Sequence, residues 1–251
     1  MKNNNSNTSL KRGRPPKKDY DPEALMQELI DTAAEIYREK REIKATALEL
    51  DLPPGKVKKL LITGNVLSYP ETKQIQDLMR QGKTMVEIQH IMDLSYSALH
   101  TYLPYSKVIY KMSEISQNAE RVKTYKARKS VVDTLMAAPT VGHLWDCIVA
   151  FQNYPFYTLS GLPFSYTLKK GRNGEYTKEL FIDRRENSKS LAWSSVRMVF
   201  ERALEQQGAI FTRPKELVDV RGVSYTFSLL WRFGMISVPE EVEKKLKGNR
   251  K

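Results

Sequence analysis

The 251 residues include 41 Lys and Arg against 29 Asp and Glu, a formal net charge of +12, and 41% of them are hydrophobic. That apolar share supplies cores for two small domains and a tail, while the basic surplus favours a polyanionic partner, because each neutralised phosphate releases condensed counterions. The opening residues are polar and Asn/Ser-rich and no long apolar run follows, which argues against a signal peptide and a membrane partner; the expectation is a cytoplasmic protein.

Residues 1–20 form the first segment, expected to be a disordered basic arm. Its first 18 residues hold six basic side chains and no acid, centred on Lys11-Arg12-Gly13-Arg14-Pro15-Pro16-Lys17-Lys18. The Arg-Gly-Arg-Pro core resembles an AT-hook. Glycine lets such a backbone lie near the minor-groove floor and proline keeps it extended, so both arginines can enter the narrow, negative groove of A·T-rich DNA. The resemblance makes Lys11, Arg12, Gly13, Arg14, Pro15 and Lys17 candidate DNA contacts. The second proline, Pro16, departs from the hook pattern, and a solubilising tail is the plainer alternative.

The next two segments, 21–66 and 67–110, read as versions of one unit. Asp21-Pro22-Glu23 is a helix start, and Leu25, Leu29, Ala33 and Ile36 give the helix an apolar face. A shorter helix over 43–50 meets a tight turn at Asp51-Leu52-Pro53. A third, from Pro54 to about Gly64, turns Val57, Leu60 and Leu61 inward. The second unit has a helix from Pro70 to Gln81, with Ile75, Leu78 and Met79 inward and Gly82 as its stop. Thr84 and Glu87 make a capping box for a helix to Met92; the turn is Asp93-Leu94-Ser95, and a last helix runs from Tyr96 to Leu103.

Asp51 pairs with Asp93, Leu52 with Leu94, Val57 with Leu99 and Leu61 with Leu103, all 42 residues apart. Residues 43–104 thereby resemble the helix-turn-helix pattern, twice over, with Asp where the turn usually has glycine. By that resemblance Ser95, Tyr96, Ser97, His100 and Thr101 would face the major groove, and Lys56, Lys58 and Lys59 would occupy the same surface of the first unit. Ser and Thr are unselective readers, Tyr96 and His100 can add base-edge or phosphate contacts, and lysines favour phosphate. The segments 54–63 and 95–103 contain no acid. The alternative is that one unit is a structural packing module, or that both bind protein.

A connecting helix is expected within 111–138. Its Arg121, Lys123, Lys126, Arg128 and Lys129 suit a phosphate track or a solvated face, and Ile115, Val122, Tyr125, Val132 and Leu135 suit a dimer contact, so a homo-oligomer is possible. Pro139-Thr140 opens an α+β domain over 139–239. It should hold a helix to about Gln152, strands at 164–169 and 176–183 joined through Asn173-Gly174, a helix at 194–207 and a mostly buried one at 224–233. A basic tail, 240–251, would close the chain.

The fold class expected is mainly α: tandem helix-turn-helix units, a long connecting helix and a small α+β C-terminal domain with a β-hairpin. Cys147, the single cysteine, sits in the apolar run Val141, Leu144, Trp145, Ile148 and reads as core, which rules out a disulfide framework. His90, His100 and His143 lack metal-site spacing, so no metal or cofactor is expected. Glu175, Glu179, Asp183, Glu186 and Lys189 admit a metal-dependent nuclease as an alternative, and Arg172, Arg184, Arg185, Lys189 and Arg197 form a second basic group. No P-loop, dinucleotide fingerprint or nucleophile–base pair is visible, and an enzyme is not expected. The function expected is double-stranded DNA binding, as a transcriptional, phage or mobile-element regulator, or as the recognition subunit of packaging, replication or transposition.

Overall fold

The computed structural model describes residues 21–105, 112–183 and 190–248. The fold is mainly α with a small antiparallel sheet in the C-terminal half. Helix α1, Pro22–Lys40, starts where Asp21 accepts hydrogen bonds from the Glu23 and Ala24 amides at 2.9 and 3.1 Å. It stops where Arg41 takes left-handed backbone at φ 55°. Helices α2 (Ile43–Leu50) and α3 (Pro54–Thr63) follow, and Leu29, Ile36, Leu50, Val57, Leu60 and Leu61 close a core between the three. Pro at the first position of α1 and α3 costs nothing, since that amide has no helical partner.

The second unit has α4 (Pro70–Arg80), α5 (Met85–Met92) and α6 (Tyr96–Thr101). Gly82 stops α4 at φ 79°, and the Thr84–Glu87 capping box is formed. Among the described residues its buried apolar core is Ile75, Ile88 and Leu99, ringed by half-buried Leu78, Met85, Met92, Leu94, Tyr102 and Leu103. Met79, expected inward, is 47% exposed. Its counterpart 42 residues earlier, Tyr37, packs into a core that another helix completes, and α4 lacks such a cover.

That other helix is α7, Met112–Ala137, which packs against α1, α2 and α8. Val122 and Tyr125 enter the first-unit core, whereas Val132 and Leu135 enter the C-terminal core. The apolar stripe expected to offer a dimer contact is therefore consumed within the chain over those four residues; the Ile115 side chain lies outside the described residues. The basic set is not a free track either. Lys126 pairs with Glu28 at 2.7 Å, and Lys129 with Glu35 and Glu39 at 2.8 and 2.7 Å. Arg121 donates to the Asp51 carbonyl at 3.0 Å and Arg128 to the Ala150 carbonyl at 3.2 Å, leaving Lys123 exposed. The acids of α1 on the facing side explain this, since the cations match them along the groove.

The C-terminal core takes in Val132 and Leu135 from the end of α7. Helix α8, Val141–Ala150, is capped by the Thr140 hydroxyl. A sheet in the order β1-β2-β3-β4 follows, with β1 Phe156–Tyr157, β2 Pro163–Lys170, β3 Tyr176–Asp183 and β4 Leu191–Ala192. The β2–β3 hairpin pairs Ser165 with Asp183 and Lys170 with Tyr176, and Gly174 in its loop has φ 82°, as the Asn-Gly signal requires. Helices α9 (Trp193–Glu205) and α10 (Val223–Arg232) cover the sheet, around a core of Phe151, Tyr166, Phe200, Phe227 and Phe233. Cys147 is buried in that core, and burial pushes its thiol up to about 12.

The expected tail is in part a helix. Residues Glu240–Leu246 form α11, burying Val242 and Leu246 against the same core. Three acids in its first turn, Glu240, Glu241 and Glu243, suit the positive helix end. The lysines of 244–247 drew attention away from an apolar pair four residues apart.

Candidate nucleic-acid interface

Both turns are built alike. Asp51 sits at φ 50°, ψ 48° and Asp93 at φ 51°, ψ 43°, the left-handed conformation usually given to glycine. The amide after each reaches back to the second helix of its unit: Leu52 to the Ala47 carbonyl at 3.0 Å and Leu94 to the Gln89 carbonyl at 3.2 Å. These bonds are the helix-terminating kind that sets the entry angle of the next helix. The 42-residue repeat is thus a repeat of backbone geometry as well as of sequence.

The third helices differ. At the start of α6 the Ser95 hydroxyl accepts from the Ala98 amide at 3.2 Å and lies 3.3 Å from that of Ser97. Ser95, Tyr96, Ser97 and Thr101 are exposed, Tyr96 by 58%. The Tyr96 ring lies 4.3 Å from the His100 imidazole, centroid to centroid. His100 is half-buried, and its Nε2 is buried without a hydrogen-bond partner. Together these five residues make one face, with Leu99 behind it in the core.

The lysines of α3 are engaged by the neighbouring unit. The Lys58 ammonium lies 3.8 Å from the Tyr102 ring centroid and 4.4 Å from that of Tyr69, and burial lowers its pKa. Lys59 lies 4.8 Å over Tyr105. The Thr63 hydroxyl accepts from the Tyr105 amide at 3.0 Å and donates to the Lys59 carbonyl at 2.7 Å. Lys56 is half-buried near the exposed start Pro53-Pro54-Gly55. Helices α3 and α6 pack against each other. Sequence reasoning missed Tyr69, Tyr102 and Tyr105; the available signal was three tyrosines flanking Pro70 and Pro104 at the unit edges.

Contact between α3 and α6 limits what they can reach. Successive major-groove segments on one face of a duplex are about 34 Å apart, so abutting helices cannot occupy two of them. They present one continuous surface instead. The arm residues Lys11, Arg12, Gly13, Arg14, Pro15 and Lys17 lie outside the described residues.

A second cluster ties the first unit to the C-terminal domain. Glu49 of α2 is buried, and the Arg232 guanidinium donates to both its oxygens at 2.6 and 2.7 Å. The Tyr154 hydroxyl donates to Glu49 at 3.1 Å and accepts from Arg232 at 3.1 Å. Burial raises the Tyr154 pKa to about 12 and keeps it a donor. A glutamate inside the apolar stretch Ala47-Leu48-Glu49-Leu50 was the sequence clue.

Of the nuclease candidates, Glu175, Glu179 and Asp183 are exposed on the hairpin, and Glu186 and Lys189 lie outside the described residues. Among the described residues no group of three or more His, Cys, Asp or Glu side chains is placed to hold a metal ion, and no helix is long and apolar enough to cross a membrane. In the second basic group Arg197 pairs with Glu201 at 2.7 Å and Arg172 is exposed; Arg184, Arg185 and Lys189 lie outside the described residues. No protein-family model, curated protein or solved structure matches the chain.

Proposed function

We propose that the chain binds double-stranded DNA through α6, as a transcriptional, phage or mobile-element regulator. The supporting observation is an acid-free, exposed face on the third helix of the second three-helix unit, carrying Ser95, Tyr96, Ser97 and Thr101 with His100 beside them. In this reading Tyr96 reaches base edges with the half-buried His100 ring packed beside it, while Ser95, Ser97 and Thr101 hold phosphate or unselective base contacts. Lys56, Lys58 and Lys59 on the adjoining α3 raise the positive potential over the backbone, and the basic arm, from Lys11 to Lys17, adds minor-groove affinity.

Because α3 and α6 abut, one copy reads one groove segment. Selection of a randomised duplex pool by the purified chain, at physiological salt, tests this. The expected product is an enriched motif within one helical turn, about 10 base pairs, per bound copy. Two separated segments one turn apart bound by a single copy would contradict the adjoining geometry. No retained DNA would overturn the function itself.

A further inference from the structure

A cleft of about 750 Å³ opens between the first unit and the C-terminal domain, within the size range of small-molecule sites. One wall is the end of α1 and the outer face of α2; the other is β1, α10 and α11. Its apolar lining includes Ala45, Leu48, Tyr157 and Trp231.

The charges lining it are unequally satisfied. Glu49 is held by Arg232 and Tyr154, Glu39 by Lys129 at 2.7 Å, and Glu243 by Lys247 at 2.7 Å; Glu42 is engaged as well. The cations Lys40 and Lys44 are the exception. Among the described residues Lys40 comes no nearer to an acid than 3.9 Å from Glu49, beyond hydrogen-bond reach, and the Glu49 oxygens are already taken. Its side chain is 33% exposed, and burial and the Arg232 charge lower its pKa against the pull of Glu49 and Glu39. Lys44 is exposed on the same wall. Two ammonium groups with unused donors therefore face a cleft whose acids are occupied and whose remaining surface is aromatic and aliphatic.

We propose that this cleft binds a small carboxylate with a flat apolar body, its anionic end held by Lys40 and Lys44 and its body against Trp231, Tyr157 and Leu48. A partly buried ammonium gains most from a charge-assisted hydrogen bond, and a neutral ligand of the same shape would leave Lys40 unsatisfied. Such a ligand would touch α2 and α10 at once and so favour the joined arrangement of the two regions. Its binding does not depend on the DNA reading, since the cleft lies on α2 and not on α6.

The test is a titration of the full chain with indole-3-carboxylate and 2-naphthoate, following the Trp231 indole N–H resonance assigned through Trp231→Phe. A saturable shift is expected, weakened about tenfold or more for the matching carboxamides and in Lys40→Met and Lys44→Gln. Lys44 is exposed, so Lys44→Gln keeps the fold, as an unchanged melting curve would verify. The proposal is overturned if neither acid gives a saturable shift below about 10 mM. It is equally overturned if the carboxamides bind as well as the acids, or if both folded lysine variants bind like the parent chain.

Discussion

The two N-terminal three-helix units share a turn but not a setting. In the first, α7 supplies Val122 and Tyr125 to the core, and Arg232 of the C-terminal domain closes over Glu49 of α2. In the second, three short helices close over Ile75, Ile88 and Leu99 alone. Aligned positions show the consequence. Glu49 of the first unit is 5% exposed while Ile91, 42 residues later, is 51% exposed. A charged residue inside and an apolar residue outside reverse the usual preference, because what covers each helix differs. The turn chemistry specifies how helices enter a unit; the stability of the unit depends on what packs across it.

The largest effect should come from that reversed pair. Glu49→Ala leaves the Arg232 guanidinium buried without its carboxylate, a change that costs about 3–5 kcal/mol, read as a large drop in melting temperature. Ile91→Lys changes an exposed site with no such partner and should stay within about 0.5 kcal/mol. Equal effects at both positions would break the comparison. Next come the aligned cores. Leu61→Ala and Leu99→Ala each empty a fully buried site, at about 2–5 kcal/mol. Loss at Leu61 should lower global stability, whereas loss at Leu99 should speed amide exchange in α4 to α6 and leave α7 and the sheet protected. Uniformly faster exchange in Leu99→Ala would mean the second unit is not a separate cooperative element.

Much of this contrast could be read in advance, and the part that could not has a physical reason. Periodicity and caps located α1 to α6 because their signals lie within one helix: Asp21, Thr84, Gly82 and the repeated Asp-Leu turn. The hairpin at Asn173-Gly174 was legible for the same reason. The two-residue strands β1 and β4 were not, since so short a segment exists only through its neighbour's hydrogen bonds. Nor was the fate of α7. Its basic residues read as a solvated face or a phosphate track because their partners, Glu28, Glu35 and Glu39, lie some ninety residues away. On the candidate interface the exposure of α6 followed from the pattern, but the sheathing of Lys58 by Tyr69 and Tyr102 required knowing that the two third helices touch.

That sheathing separates the units again when DNA is the readout. Tyr96→Ala with His100→Ala should reduce discrimination between the selected site and random duplex by about 1–3 kcal/mol, the worth of a base-edge contact pair. Affinity for random DNA should change less, and equal loss on both would place the reading surface elsewhere. Measured by competition at fixed salt, the result tests α6 without disturbing α3.

The smallest effect is a pH dependence belonging to the second unit. Hydrogen bonds from the Thr84 amide and hydroxyl, at 2.8 and 3.0 Å, hold the Glu87 carboxylate below its usual range, with Lys83 helping. A group whose folded pKa is depressed binds its proton more readily when unfolded, so its contribution is complete above the ordinary glutamate range. It is then lost as pH falls through the lower folded value. Glu87 is exposed, so the slope should be shallow and reduced further by salt. Amide exchange of α5, followed from neutral pH downward and corrected for the intrinsic rate, should reveal it. Glu87→Gln should start from a less stable α5 and show a flatter decline, while the first unit, whose α2 has no side-chain cap, serves as the internal reference. Identical profiles for the parent and Glu87→Gln would mean that the capping box adds nothing to the unit's stability and that its core alone sets the difference between the two.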